Sequence, residues 1–290
     1  MTDYYVHNLL GTNAVSPQGT SIGSGAWATI AYAVTQVSAG DTIFVQNTGT
    51  VYTDSFTVGA IAGTAANPIV ITSYDQDDPT IIEPAGIWYW DGSGGSDPHP
   101  YWQISHLIFQ NYTSGNMIRF GSGTTGSPAY SNNHKISYCI FCHNTECIRA
   151  WQTNNLIVEH CIFYDNTSGV AGSDSFDILF QYYSTGSKVR YNWFEDNGSD
   201  SVHINNAEVT GSGYDIEVYN NAIWTNRADD ESFDTAVRPW FTGGFTNRGE
   251  NGMDIKATRT AAGTLYAVQA RNNVVHGFRD STTGQDTSGS

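Results

Sequence analysis

The sequence predicts an all-β chain wound as a single-stranded right-handed parallel β-helix, a solenoid, with an amphipathic capping helix at its N-terminal end. Three observations predict it. Short apolar β segments are separated throughout by Gly, Asn, Asp and Pro rather than by helical crossovers. From residue 101 a marker recurs, a hydrophobic pair shortly before Asn: Leu107-Ile-Phe-Gln-Asn111, Ile140-Phe-Cys-His-Asn144, Ile162-Phe-Tyr-Asp-Asn166, Trp193-Phe-Glu-Asp-Asn197 and Ala222-Ile-Trp-Thr-Asn226. A further strand with a titratable residue follows each marker, so that each repeat supplies at least two strands and buries its apolar side chains on the coils above and below. A β-sandwich is the alternative, but it gives no reason for the recurring register.

Along the chain, Tyr4-Tyr-Val6 reads as a first strand. Trp27, Ile30, Ala31, Val34 and Val37 recur at helical spacing and predict a helix over 24–38 that covers the open first coil. Thr42–Val45, Ser55–Val58, Pro68–Thr72 and Thr80–Ile82 follow as strands, and residues 83–100, with Trp88 and Trp90, read as a loop excursion. One β-helix domain is expected over 1–280, with a loop insertion at 227–250 and a flexible tail at 281–290.

Bulk composition narrows the partners. A net charge of −16 with 12 basic residues argues against nucleic acid, which needs a basic face. No apolar run is long enough to span a membrane. The segment Met1–His7 lacks the basic and apolar regions of a secretory leader. The expected location is extracellular or on a virion surface. The expected assembly is a monomer or a side-by-side homotrimer. Cys139, Cys142, Cys147 and Cys161 lack zinc-site spacing. Cys139 and Cys161 both precede Ile-Phe and read as stacked buried thiols.

The candidate site is a column. In Asn116–Phe120, Glu146–Ala150, Gly172–Ile178, Ser199–Ile204 and Glu250–Lys256, strict alternation points Ile118, Ile148, Phe176, Val202 and Met253 inward. Arg119, Arg149, Asp177, His203 and Asp254 then point outward on successive rungs. The arginines suit an acidic sugar carboxylate. Asp174 and Asp200, in the preceding turns, add oxygen donors of the kind calcium takes. Lys256 shares the outward face, and Lys135 and Lys188 are the only other lysines. A complementary charge ladder on a solvated sheet explains the same residues. Trp240, in the insertion, is placed to stack on a sugar; a loop that merely covers coil surface is the plainer role. His143, His160 and His276 have no partner pattern.

The opening of the chain, with Tyr4-Tyr-Val6, Trp27-Ala-Thr-Ile30, Gly40-Asp-Thr-Ile-Phe-Val45 and Asn67-Pro-Ile-Val-Ile71, resembles the pectate-lyase-like superfamily of right-handed parallel β-helix proteins. Asp174-Ser-Phe-Asp177 and Asn251-Gly-Met-Asp254 are similar to the metal segments of its calcium-dependent lyases, without the paired Asp-Asp. The resemblance implies a polysaccharide lyase acting on a uronic-acid-containing glycan. A calcium ion would be held by Asp174, Asp177, Asp200 and Asp254. Lys256, His203 and Asp254 would serve proton transfer, and Arg119, Arg149, Arg259 and Trp240 would bind substrate. A polygalacturonase-like hydrolase using Asp174 and Asp200 is a second implied activity, although the Gly-His-Gly segment of those enzymes is missing. A non-enzymatic viral particle protein of tailspike or decoration type, binding glycan or structural, is the alternative from another class.

Overall fold

A computed structural model describes residues 1–14, 19–91, 99–122, 131–166, 175–181, 184–195, 197, 200–205, 216–224, 252–255 and 268–276. The described strands form three parallel sheets. The first contains Asp3–Val6, Thr42–Val45, Ile69–Ser73, Trp102–Ser105, Lys135–Ser137, Ile157–Glu159, Lys188–Arg190, Ile216–Tyr219 and Val268–Arg271. The second contains Thr80–Ile82, Leu107–Gln110, Ile140–Cys142, Ile162–Tyr164, Trp193–Glu195, Ala222–Trp224 and Val274–His276. The third contains Phe56–Val58, Trp88–Trp90, Asn116–Phe120, Glu146–Trp151, Phe176–Gln181, Asp200–Asn205 and Met253–Ile255. From Ile69–Ser73 onward, successive strands in the chain visit the three sheets in turn, and each pairs with its equivalent one coil away. This is a parallel β-helix.

Like residues stack on like in the interior. Phe109, Phe141, Phe163 and Phe194 are in register and fully buried, with ring centroids 5.0, 4.8 and 4.8 Å apart and planes within 9°. Each such ring contributes about 1.5–3 kcal/mol by leaving water. The four cysteines are free and buried. Cys139 and Cys161 occupy equivalent positions before paired strands, as the repeat predicts.

Buried asparagines lock the corners. Between the second and third sheets, Asn144, Asn166 and Asn197 succeed one another. Asn144 Oδ1 accepts from the Tyr112 amide (3.0 Å), Asn166 Oδ1 from Asn144 N (3.0 Å) and Asn197 Oδ1 from Asn166 N (3.1 Å). Their Nδ2 groups donate to the carbonyls of Phe109, Phe141 and Phe163. A second ladder, Asn192, Asn221 and Asn273, runs between the first and second sheets, beginning with the Cys161 amide on Asn192 Oδ1 at 2.9 Å. A coil that turns a corner strands backbone amides and carbonyls indoors, and these side chains satisfy both.

Three local expectations are corrected. The helix is one turn, Ile30–Ala33, not 24–38. Thr29 is extended and caps it, accepting the Tyr32 amide, while Trp27 bridges to Val6 in parallel pairing. Part of the apparent helical period therefore belongs to strand-like backbone. Ile30, Ala33, Val34 and Val37 do join the core, beside Val6 and Ile43. Within 83–100, Trp88–Trp90 is a strand of the third sheet, with both tryptophans fully buried. The first repeat marker is offset by one, because Ile108, not Leu107, pairs with Ile140. Tyr112 then takes the ladder position. Asn111 takes the left-handed corner (φ 59°) equivalent to His143 and Asp165 (57° and 51°).

Outside the first sheet, Glu159 lies between Lys135 (2.6 Å) and Arg190 (2.6 Å). Partial burial pushes its carboxyl up, but the two cations outweigh this and hold it below the ordinary glutamate value. The folded protein therefore binds this proton less tightly than the unfolded chain. Its stabilisation is complete above the unfolded value and is lost as pH falls through the lowered one.

Two outcomes are expected. Asn192→Ala leaves the Cys161 amide and the Val158 carbonyl without these partners and lowers stability by about 2–4 kcal/mol, read as the shift in denaturant midpoint. Glu159→Gln flattens the acid limb of the stability profile while changing little at pH values where the Glu159 carboxyl is protonated in both the folded and the unfolded state. Parallel acid titrations of the two proteins, followed by circular dichroism, check this.

Candidate functional site

The outer face of the third sheet carries the cluster. Its strands do not alternate strictly. Met117 and Ile118, like Cys147 and Ile148, both belong to the core, and pairing skips the first of each couple. Two consecutive inward residues bring positions i and i+3 to the same outer face. Asp200 and His203 meet there for that reason, and across neighbouring strands Arg149 Nη1 donates to Asn116 Oδ1 at 3.3 Å.

The outward rung line is Tyr89, Arg119, Arg149, Leu179, His203 and Asp254. Asp177 is not on it. It follows Cys147 into the inward position, 1 % exposed, where Asn166 donates to its Oδ1 at 2.9 Å and the Cys147 thiol lies 3.8 Å away. Burial pushes its carboxyl well above the ordinary aspartate value, and the nearby Asp200 charge adds to the rise. Phe176, expected to face inward, pairs with Glu146 and Asp200, and its ring meets His203 edge-on at 4.5 Å.

Asp200, His203 and Asp254 come together, with their potential ligand atoms within 4.8 Å of one another. His203 Nδ1 is 2.6 Å from Asp200 Oδ2 and 3.6 Å from Asp254 Oδ2. A carboxylate only accepts, so Nδ1 carries the proton. Nε2 has no hydrogen-bond partner among the described residues. His203 is 1 % exposed, whereas the Asp254 side chain is 23 % exposed and is the cluster's opening to solvent. Arg119 lies over the rings of Tyr89 and Trp151, each at 5.0 Å, and Arg149 over Trp151 at 5.6 Å. Stacking fixes the guanidinium planes while leaving their edges for hydrogen bonding.

Asp174, Trp240, Lys256, Arg259, the insertion at 227–250 and the tail at 281–290 lie outside the described residues. Among those described, the donor set is two carboxylates and one imidazole, with Asp200 already engaged by His203 and Asp177 turned inward. That set is short of the six to eight oxygens calcium takes. The sequence also missed His143, which pairs with Asp165 at 3.3 Å and is pushed up to about 10 chiefly by that hydrogen bond. The signal was available: His143 and Asp165 are equivalent residues of adjacent repeats.

No protein-family profile matches the chain, and no curated protein matches it. Among solved structures it is similar to a rhamnogalacturonan lyase at 14% identity and a TM-score of 0.65, covering 95% of this chain and 68% of that one. It is also similar to a lacto-N-biosidase from Eubacterium ramulus at 13% identity and a TM-score of 0.58, covering 95% of this chain and 56% of that one. The chain thus spans a little over half of the second enzyme's length. At these identities the likeness is one of fold, the parallel β-helix.

Because ionisation of Asp177 is disfavoured in the folded state, its cost to stability grows as pH rises above the unfolded aspartate value and is absent below it. Asp177→Asn keeps an acceptor for Asn166. It is expected to raise the melting temperature at neutral pH, with the gain vanishing in acid; thermal melts at several pH values check this.

Proposed function

We propose that the protein is a carbohydrate-active enzyme, a polysaccharide lyase that cleaves a uronic-acid-containing glycan on the outer face of the third sheet. The observation that carries this reading is the single rung line on which Arg119 and Arg149 lead to His203 and Asp254. Coils repeat at roughly 4.8 Å, so the guanidiniums stand two and three rungs from His203. A glycan lying along the helix axis meets cations first and the acid–base cluster next.

The chemistry follows from the charges. A guanidinium edge pairs with the carboxylate of one uronate and so positions a later uronate of the same chain at the cluster. There a base removes the proton beside the carboxylate, the electron pair forms the ring double bond, and the glycosidic oxygen leaves with a proton from an acid. Asp254 is the solvent-reaching member of the cluster, and the Asp200–His203 pair behind it holds and returns the proton. Lys256, two residues beyond Asp254, is the competing base. Supporting this reading is the fold shared with a rhamnogalacturonan lyase. A calcium version, with Asp174, Asp200 and Asp254 as donors and without the inward-facing Asp177, shares the substrate and adds a cation to neutralise the carboxylate.

The test is the ultraviolet absorbance of unsaturated product on a panel of uronate polysaccharides, with and without chelator. Arg149→Ala is expected to raise KM more than it lowers kcat. His203→Ala and Asp254→Asn are expected to lower kcat about 10²–10⁴-fold. Loss of activity in Lys256→Ala with Asp254→Asn intact would assign the base to the lysine instead. New reducing ends without unsaturation would sink the lyase reading in favour of hydrolysis. Loss of activity with chelator would restore the cation.

A further inference from the structure

The corner between the first and second sheets is built from aromatic residues in a conformation that usually goes to glycine or asparagine. His106, Tyr138, His160 and Tyr191 have φ of 53°, 56°, 55° and 58°, and the same corner uses Asn220 and Asn272 in later coils. Left-handed backbone disfavours any residue with a Cβ. Here the side chains stack as a ladder, with centroids 5.0, 5.0 and 5.1 Å apart and planes within 14°. Spacing of that size is offset stacking, so each ring leaves part of its face uncovered. Tyr138 and Tyr191 are 51% and 47% exposed.

This ladder flanks a groove of about 790 Å³ on the outer face of the second sheet. Ile140, Ile162 and Trp193, in register, form its floor, and Tyr164 and Glu195 its far side. Ile162 and Trp193 are each 40% exposed. Trp193 is held in place: its Nε1 donates to Glu195 Oε2 at 3.0 Å, and its ring meets Trp224 edge-on at 4.0 Å. An exposed strip of large apolar side chains outside a solenoid calls for an occupant.

We propose that this groove binds an uncharged glycan chain, at a site separate from the third-sheet cluster and independent of whether that cluster is catalytic. The lining contains a carboxylate and neither lysine nor arginine, and the chain carries a net charge of −16, so an acidic polymer is not attracted. Sugar rings are amphipathic, with a C–H face and hydroxyl edges. The groove is amphipathic in the same sense, offering aromatic surface beside tyrosine hydroxyls, an imidazole and the Glu195 carboxylate. These groups recur at rung spacing along the axis, which suits a polymer rather than an isolated small molecule.

Affinity electrophoresis of the full chain tests this, in gels containing a neutral glucan, galactan or xylan, with polygalacturonate as the charged comparison. Retardation by a neutral polysaccharide is expected, weakened about tenfold in Trp193→Ala and in Tyr191→Ala, the loss of one aromatic contact. Thr57→Ala, at an exposed position of the third sheet, is expected to bind as the parent does. Both truncated side chains are substantially exposed, and unchanged circular dichroism melts establish that the variants fold; Tyr138→Ala supplies a further variant if one does not. No retardation on any neutral gel, retardation only on polygalacturonate, or retardation that survives in the folded aromatic variants would each overturn the proposal. So would sedimentation showing an oligomer of the parent that Trp193→Ala dissociates, since the occupant would then be another copy of the chain.

Discussion

Buried asparagine amides at the corners hold each coil in register with the next, because each supplies an acceptor and a donor where the turning backbone has none. Asn144, Asn166 and Asn197 do this at one corner, and Asn192, Asn221 and Asn273 at another. An unmet amide or carbonyl indoors costs about as much as a large share of the net stability of a domain. Register is therefore tightly specified, and every column on the surface inherits it. The phenylalanine stack is the apolar consequence of this alignment, and the outer columns are its functional one.

The third sheet adds a local departure from that regularity. Two consecutive inward side chains at the start of its strands change which residues share the outside. Asp200 comes beside His203, and Asp177 is sent into the interior. A carboxyl is tolerated there because Asn166 donates to it. One ladder asparagine thus serves two purposes, turning a corner and satisfying a buried acid. The polar cluster outside and the acid inside are linked through the charge of Asp200, which bears on Asp177.

The second and third sheets present different chemistry to solvent although the same winding makes both. Stacked guanidiniums, an imidazole and carboxylates lie on one; rings and branched aliphatic side chains lie on the other. In a solenoid the outward positions are free of packing duty, so each sheet can specialise without disturbing the core.

The fold was legible because periodic burial is written directly into the chain. The Ile-Phe…Asn markers and the Gly- and Asn-rich breaks suffice for coils that stack, and Cys139 and Cys161 were recognisable as equivalent buried thiols. His203 beside Asp254 was legible too, since their segments share a pattern and pair as expected. What failed depended on neighbours from other coils. Strict alternation put Asp177 outside, and only the partners Asn166 and Cys147 make its inward position stable. Trp88 and Trp90 looked like loop because their flanks are rich in Gly and Pro, yet they pair with Phe56–Val58 and Asn116–Phe120. The helix shrank to one turn because Trp27 found a strand partner in Val6. By itself the sequence determined the repeat and the residues available to each coil. The tertiary structure alone decided which of them face out together, because that choice turns on partners and strand pairings that simple alternation along the chain does not encode.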